Sequence, residues 1–187
     1  MVIDLSDRES SAIIEACRQG DPDAFRALYE VYKDKVYSIA LYFFHGDQAA
    51  ASDATQQVFL KLLRNIGKFS GDSEFSTWLY RLVVNTCMDS SRRARARRAE
   101  PLESATRVPG NAAQQDDAVL ARQTAQSIQS ALSDLPAKFR IAVLLRYFED
   151  LSYAEMADSL GCSLGTVASR LNRAHKMLAG KLERLRR

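Results

Sequence analysis

The sequence predicts an all-α protein built from two small helical domains joined by a flexible linker. Three observations carry that prediction. Apolar residues recur at three- and four-residue steps along most of the chain, and the two-residue alternation of strands is nearly absent. Between Ala99 and Asp117 the composition also shifts to Pro101, Pro109-Gly110-Asn111, Gln114 and Gln115, with few large apolar residues. Such a segment buries too little to stay fixed, so it reads as a tether. The domains are therefore expected at 1–98 and 118–187, with the linker at 99–117.

The elements follow in order. Asp21-Pro22 opens the first long helix, because Asp21 suits an N-cap and Pro22 occupies a first-turn position where its missing N–H is harmless. Phe25, Leu28, Tyr29, Tyr32, Val36, Ile39, Ala40 and Phe43 form its apolar stripe, and His45-Gly46 ends it. Asp47 caps a second helix with Ala51, Ala54, Val58, Phe59, Leu62, Leu63 and Ile66 inward, and Gly67 stops it. After the polar loop Lys68–Asp72, Ser73 caps a third helix with Phe75, Trp78, Leu79, Leu82, Val83 and Thr86 on its inner face. That helix runs out into an arginine block. Beyond the tether, one helix covers about Ala118 to Asp134 and Pro136 begins another with Ile141, Val143, Leu144, Leu145, Tyr147 and Phe148. Two short, well-punctuated helices close the chain.

The 187 residues suit one domain or two small ones, with 47% hydrophobic and 26% charged residues as in ordinary globular proteins. A net charge of +3 conceals two basic blocks, Arg92 to Arg98 and Arg170 to Arg187. Local blocks of this kind fit a polyanion, and they equally fit a solvated face. Cys17, Cys87 and Cys162 are odd in number and lack metal-site spacing, so they read as partly buried thiols in a reducing compartment. The N-terminus, with Asp4, Asp7 and Glu9, lacks the layout of a secretory signal, and the apolar stretch Val36 to Phe44 is too short to span a bilayer. A cytoplasmic location with no membrane insertion is the expectation.

The clearest motif runs from Leu151 to Leu178. Ser152-Tyr153-Ala154-Glu155 has capping-box spacing, Ala154, Met156, Ala157 and Leu160 make a narrow apolar face, and Gly161 supplies a left-handed stop. Ser163 caps the next helix, which turns Val167, Leu171, Ala174 and Leu178 inward and Thr166, Ser169, Arg170, Asn172, Arg173 and Lys176 outward. Two helices about a Gly-containing turn, the second basic and polar outside, describe a helix-turn-helix whose second helix fits the major groove. A helical hairpin with solvated arginines is the alternative. Capping, Gly placement and outward charge together favour DNA.

Two further stretches are more specific. Asp53-Ala54-Thr55-Gln56-Gln57-Val58-Phe59, then Phe75-Ser76-Thr77-Trp78-Leu79-Tyr80-Arg81 with Asn85 and Asp89, resemble the second conserved region of bacterial sigma factors. Leu135-Pro136, Leu151-Ser152-Tyr153 and Gly161-Cys162-Ser163-Leu164-Gly165-Thr166-Val167 with Ser169-Arg170-Leu171 resemble their fourth region. Their order, the linker and the absence of other sigma regions resemble the extracytoplasmic-function (ECF, group four) subfamily of the sigma-70 family. The resemblance covers nearly the whole chain except the linker and the first ten residues.

The resemblance implies a transcription initiation factor that binds core RNA polymerase and directs it to promoters. It implies that Asp53, Gln56 and Gln57 dock on the β′ clamp helices; Gln57 departs from the usual Glu and removes a charge there, though its amide still hydrogen-bonds. The Phe69–Phe75 loop and the following helix would capture the non-template strand of the melted minus-ten element, with Ser70, Asp72 and Ser73 forming a base pocket. Lys68, Arg81 and Asn85 are the better strand contacts. Trp78 reads either as a wedge at the melting edge or as core, and Phe69 and Phe75 as strand contacts or loop anchors. Arg92, Arg93 and Arg95 suit duplex phosphates. Ser163, Thr166, Ser169, Arg170, Asn172, Arg173 and Lys176 would meet the minus-thirty-five duplex, where Ala168 departs from the Lys or Arg of many relatives. Leu144, Tyr147 and Phe148 either support docking on the β flap or pack the core. An anti-sigma factor covering the polymerase-binding surfaces is the further partner implied.

No Ser/His/Asp set, metal cluster or Gly-rich phosphate loop stands in the sequence, so no catalytic residue, metal or cofactor is expected. His45 and His175 read as surface residues. A helix-turn-helix activator or repressor with a sensory domain is the competing function; it calls for a ligand pocket or phospho-acceptor in the first half. A helical adaptor leaves the recognition helix unexplained.

Overall fold

The structure, a computed structural model, describes residues 7–99 and 128–185, with side chains described over 11–96 and 128–180. Among those residues there are helices and turns and no strand. In chain order the helices are α1 (Asp7–Arg18), α2 (Pro22–Phe43), α3 (Gln48–Asn65), a 3-10 turn (Ile66–Lys68) and α4 (Phe75–Ala99). Helical residues 128–133 form α5, followed by α6 (Ala137–Tyr147), α7 (Tyr153–Leu160) and α8 (Leu164–Leu185).

The caps explain the boundaries. The Asp21 carboxylate accepts from the N–H of Asp23 at 2.8 Å and of Ala24 at 3.3 Å, with Pro22 in the first turn. Asp47 accepts from the Ala50 N–H at 3.0 Å, after His45 and Gly46 both enter the left-handed region and terminate α2. Two details differ from the sequence reading. Gly67 lies inside the 3-10 turn and does not adopt the left-handed stop; α3 ends because its last turn tightens, with the Asn65 side-chain amide donating to the Lys61 carbonyl at 2.8 Å. Ser73 does not cap α4; the helix starts at Phe75, and the Trp78 N–H bonds to the carbonyl of Glu74 at 3.1 Å.

The sequence reading also passed over α1, an additional helix that buries Ile14 and Cys17 against α2 and the 3-10 turn. Ile13, Ile14 and Cys17 stand at three- and four-residue steps, so a short amphipathic helix is legible there. Leu63, expected inward on α3, is 53% exposed, and Ala154 on α7 is exposed as well. The α2–α3 contact is close because Ala40, Ala51 and Ala54 meet there without bulk. α4 ends on Ala99, the first residue assigned to the tether; the rest of the tether and the first part of the helix expected at Ala118–Asp134 lie outside the described residues.

The two helical units share one hydrophobic core. Val36, Ile39, Phe43, Leu79 and Val83 of the first unit and Leu135, Ile141, Leu144, Leu145 and Met156 of the second belong to one continuous buried cluster. α4 lies on α7 and α6, and α2 lies on α6. Tyr42 meets Phe148 with ring centroids 4.7 Å apart, and the Gln129 amide donates to the Tyr42 carbonyl at 3.3 Å. Sequence alone left the relative placement of the units open.

Candidate nucleic-acid interface

The helix-turn-helix is assembled as its sequence dictates. The Ser152 hydroxyl accepts from the Glu155 N–H at 3.3 Å while the Glu155 carboxylate accepts from the Ser152 N–H at 2.7 Å. This reciprocal pair holds the Glu155 carboxyl below its ordinary range. Gly161, at φ +59°, ends α7, and the Cys162 N–H reaches back to the Ala157 carbonyl at 3.0 Å. Ser163 then accepts from the Thr166 N–H at 3.3 Å and starts α8. Val167, Leu171 and Ala174 are buried, and Met156 anchors α7 from the other side.

The opposite face of α8 is open. Ser169, Asn172, Arg173 and Lys176 are exposed, while Arg170 and Thr166 are half-buried. Ser163 and Thr166 share a hydroxyl–hydroxyl bond of 3.0 Å, so part of their hydrogen-bonding capacity is spent locally. The Tyr147 hydroxyl meets His175 Nε2 at 2.8 Å along the same flank. Of the three flap candidates, Leu144 is fully buried, Tyr147 is 56% exposed, and Phe148 rests on Tyr42.

In the first unit an aromatic cluster shapes the loop before α4. Phe69 lies 5.5 Å from both Phe75 and Trp78, Phe75 and Trp78 are 5.9 Å apart, and Tyr32 backs Phe75 at 5.6 Å. Phe69 and Phe75 are buried, so they are anchors of the loop, and Trp78 is half-buried among them. Between these anchors the chain turns at Gly71, φ +84°, with the Ser70 hydroxyl donating to Asp72 at 2.5 Å. Lys68, Ser70 and Asp72 are exposed and Ser73 is half-buried. Arg81 and Asn85 stand one turn apart on the solvent side of α4, and Arg81 Nε donates to the Asp158 carbonyl of α7 at 2.9 Å.

The α3 residues expected to dock do not share one hollow. Asp53 and Gln57, one turn apart, open into a cleft of ≈ 590 Å³ whose other wall includes Arg93, Arg95 and Arg140. Gln56 opens into a groove of ≈ 560 Å³ between α2 and α3, beside Tyr29, Phe59, Leu60 and Leu63. Arg93 and Arg95 thus face the α3 side, whereas Arg92 pairs with Asp89 one turn back. That exposed pair is weak and exchangeable for a phosphate. Lys61 Nζ donates to the Thr86 hydroxyl at 2.9 Å and fixes α3 against α4.

Sequence reasoning missed four residues that join the units: Tyr80, Arg140, Glu149 and Ser159. The Tyr80 hydroxyl donates to the Glu149 carboxylate, and the Ser159 hydroxyl donates to the Thr77 carbonyl at 3.2 Å. Burial pushes the Tyr80 phenol far up, with the neighbouring Glu149 adding to the shift; burial also raises the Glu149 carboxyl. Arg140, set in the apolar run Phe139 to Leu145, was the one visible signal. The Cys17 thiol is raised by burial and by Asp21, and Cys87 is pushed up to about 12 by burial, so both are poor nucleophiles. Among the described residues no group of three His, Cys, Asp or Glu is placed to hold a metal ion, and no helix is long and apolar enough to cross a membrane.

Two family models match this chain, Sigma-70 region 2 over residues 28–97 and Sigma-70, region 4 over residues 125–178. The chain is 31% identical over 180 residues to the ECF RNA polymerase sigma factor SigW of Bacillus subtilis, covering 92% of this chain and 96% of that protein. It belongs to the ECF sigma factors of the Sigma-70 family. The ECF RNA polymerase sigma-E factor of Escherichia coli is 33% identical over 182 residues, covering 92% of this chain and 94% of that protein. The fold is similar to that of the sigma factor RpoE solved in complex with the anti-sigma factor NepR from Bartonella quintana. That match has a TM-score of 0.64 and 24% identity, and covers 85% of this chain and 96% of that one. On this ECF sigma factor, region 2 takes in most of α2 with α3 and α4, and region 4 takes in α5, α6, α7 and most of α8. α1 lies ahead of the region 2 match.

Proposed function

We propose that this ECF sigma factor binds core RNA polymerase through α3, reads the upstream promoter element with α8, and captures the melted downstream strand with α4 and the loop before it. The observation that carries the reading is the pairing of a capped helix-turn-helix, whose outward Ser169, Asn172, Arg173 and Lys176 are free of the core, with a second unit bearing the docking residues. Asp53, Gln56 and Gln57 address the β′ clamp helices, and the two hollows on either side of α3 give that contact its shape. Lys68, Asn85 and, once released from Asp158, Arg81 hold the non-template strand; Ser70, Asp72 and Ser73 border the base pocket, and Trp78 closes its floor. Arg92, Arg93 and Arg95 add phosphate attraction, which is independent of sequence and sensitive to salt. Exposed Tyr147 and Phe148 serve the β flap.

The functional boundaries are 1–98, 99–117 and 118–187. The protein works in the cytoplasm with no cofactor and is not an enzyme: the polymerase supplies the catalysis. An anti-sigma factor is the natural occupant of the apolar groove at Tyr29, Leu60 and Leu63, which adjoins Gln56 and so competes with polymerase.

The test is run-off transcription from a random promoter library with sigma-free bacterial core polymerase, with and without the protein. Discrete protein-dependent transcripts sharing two spaced upstream elements are expected, and Asp53→Ala should reduce them at least tenfold. Sequence-specific duplex binding by the protein alone, with no dependent transcript, would replace this reading by a helix-turn-helix regulator.

A further inference from the structure

We propose that Leu164, the first residue of α8, reads the C5-methyl group of a thymine in the upstream element, through an apolar contact that Ala168 leaves uncovered and Gly165 brings within reach. The proposal deepens the reading of α8 as the helix that enters the major groove, and it rests on that reading.

Leu164 has no place in the core. It is 55% exposed directly after the Ser163 cap, whereas Val167, Leu171 and Ala174 carry the burial of α8. A single exposed leucine is ordinary on a protein surface. This one stands at the N-terminal end of a recognition helix, where side chains meet base edges. The hydroxyls beside it are partly committed, because Ser163 and Thr166 bond to each other at 3.0 Å. Polar readout at this end of the helix is reduced accordingly, and an apolar side chain is left facing out.

Ala168 lies one turn further along on the same flank and is exposed as well. A long side chain on a helix leans back over the turn N-terminal to its own Cα. A lysine or arginine at 168 would therefore lay its apolar stem over Leu164. Alanine has nothing to lay there. Leu164 and Ala168 form a bare apolar edge beside the outward stripe of Gly165, Ser169, Asn172 and Lys176, which recurs at steps of four and three residues.

Gly165 supplies the approach. A glycine within a helix gives up stability relative to alanine. A Cβ at 165 would meet nothing within 4 Å, and the residue is not among the glycines at positive φ. Neither packing nor backbone conformation in this chain therefore calls for glycine. The missing side chain is on the outward face, where it lets the helix backbone come closest to the groove. At that depth Leu164 meets the methyl group that only thymine presents on the major-groove edge, so the contact favours A·T pairs without a hydrogen bond.

The experiment uses holoenzyme reconstituted from the full-length chain and core polymerase. The probe is a duplex carrying the upstream element recovered in the run-off assay, with copies in which each thymidine of that element is replaced in turn by deoxyuridine. That swap removes one methyl group and keeps every hydrogen bond. At one thymidine, wild type should lose about fourfold in affinity, as one buried methyl group requires. Leu164→Ala should bring that ratio to one. Ala168→Lys should do the same, although its added charge tightens binding to both duplexes. Gly165→Ala should raise the thermal midpoint of the free chain yet weaken binding to the thymidine duplex, a pairing that a purely structural glycine does not give. Equal binding of thymidine and deoxyuridine duplexes by wild type at every position overturns the proposal, and so does an element with no thymine. A methyl dependence that survives Leu164→Ala overturns it too. Those results leave the major-groove reading of α8 standing, whereas a wild type that selects no upstream element removes both.

Discussion

Arg140, near the start of α6, donates through Nη1 to the carbonyl oxygen of Phe43, the last residue of α2. Its Nε bonds Leu132 at 2.9 Å, its Nη2 bonds Ser133 at 3.2 Å and Leu135 at 2.8 Å, and its guanidinium lies 5.5 Å from the Phe43 ring centre. The carbonyls at a helix C-terminus have no partner within the helix and carry the negative end of its dipole. One cation therefore completes the ends of two helices, α2 and α5, that belong to different units. The side chain is only 6% exposed, and desolvation lowers its pKa without removing its charge.

Replacing Arg140 by Leu takes one donor from each of four carbonyls in a largely buried place; that of Leu132 keeps the Leu135 N–H at 3.1 Å. The expected loss is about 3 kcal/mol, or a melting midpoint lowered by roughly 6–12 °C for a chain of this size. Arg140→Lys should rescue little of it, because an ammonium on a flexible stem does not span the four acceptors. Thermal melts followed by circular dichroism decide the matter: a midpoint within a degree of wild type for Arg140→Leu would remove Arg140 from this role.

The seam between the units should respond to pH through Glu149. Burial raises its carboxyl, opposed by the Tyr80 hydrogen bond and by Lys35 and assisted by Asp150. A carboxyl raised in the folded seam contributes its full share to stability below its ordinary value near 4.5, and that share is lost as pH climbs through the raised value. The seam is thus strengthened on the acid side and weakens toward neutrality. The melting midpoint of wild type should fall from mildly acidic to neutral pH, and Glu149→Gln should flatten that dependence. A wild type whose pH profile matches that of Glu149→Gln would show that this carboxyl plays no part.

Lys176 and Ser169 should separate two kinds of DNA contact. Base edges meet the N-terminal part of a recognition helix, and Lys176 lies about three turns along α8 from Leu164. With reconstituted holoenzyme and duplexes selected by wild type, Lys176→Ala should weaken all sequences alike. It should also lower the slope of log K against log salt by about 1, as one lost phosphate contact requires. Ser169→Ala should instead change the preferred bases and leave the slope alone. Should Lys176→Ala alter preference with no change of slope, the two roles are exchanged.

Much of the fold is legible in the chain because its signals are local. Asp21-Pro22, Asp47 and the Ser152–Glu155 box each act within one helical turn, so residue type and spacing suffice to place them. The same holds for Gly161, where a left-handed residue ends α7. Where the local signal was ambiguous, the reading slipped by a residue or missed a face: Ser73 yields to Glu74 at the start of α4, Gly67 is absorbed in a 3-10 turn, and Leu63 faces outward. At Gly67 the tightened last turn of α3 decides, and at the start of α4 the burial of Phe75 against Phe69 and Tyr32. The apolar face of α1, Ile13, Ile14 and Cys17, is legible in the chain; that it lies on α2 and the 3-10 turn is not, because those partners are fixed only by the fold.

By itself the sequence determined the helical class, the two-part organisation, the helix-turn-helix and the ECF sigma family, all of which rest on periodicity, caps and motifs read along the chain. Only the tertiary structure decided that Arg81 meets Asp158, that Tyr80 meets Glu149, and that Asp53 and Gln56 open into different hollows. Those pairings join residues far apart in sequence. They depend on which helix faces lie together, and in this chain that choice was made by a hydrophobic core continuous through both units and by one arginine completing the ends of two helices.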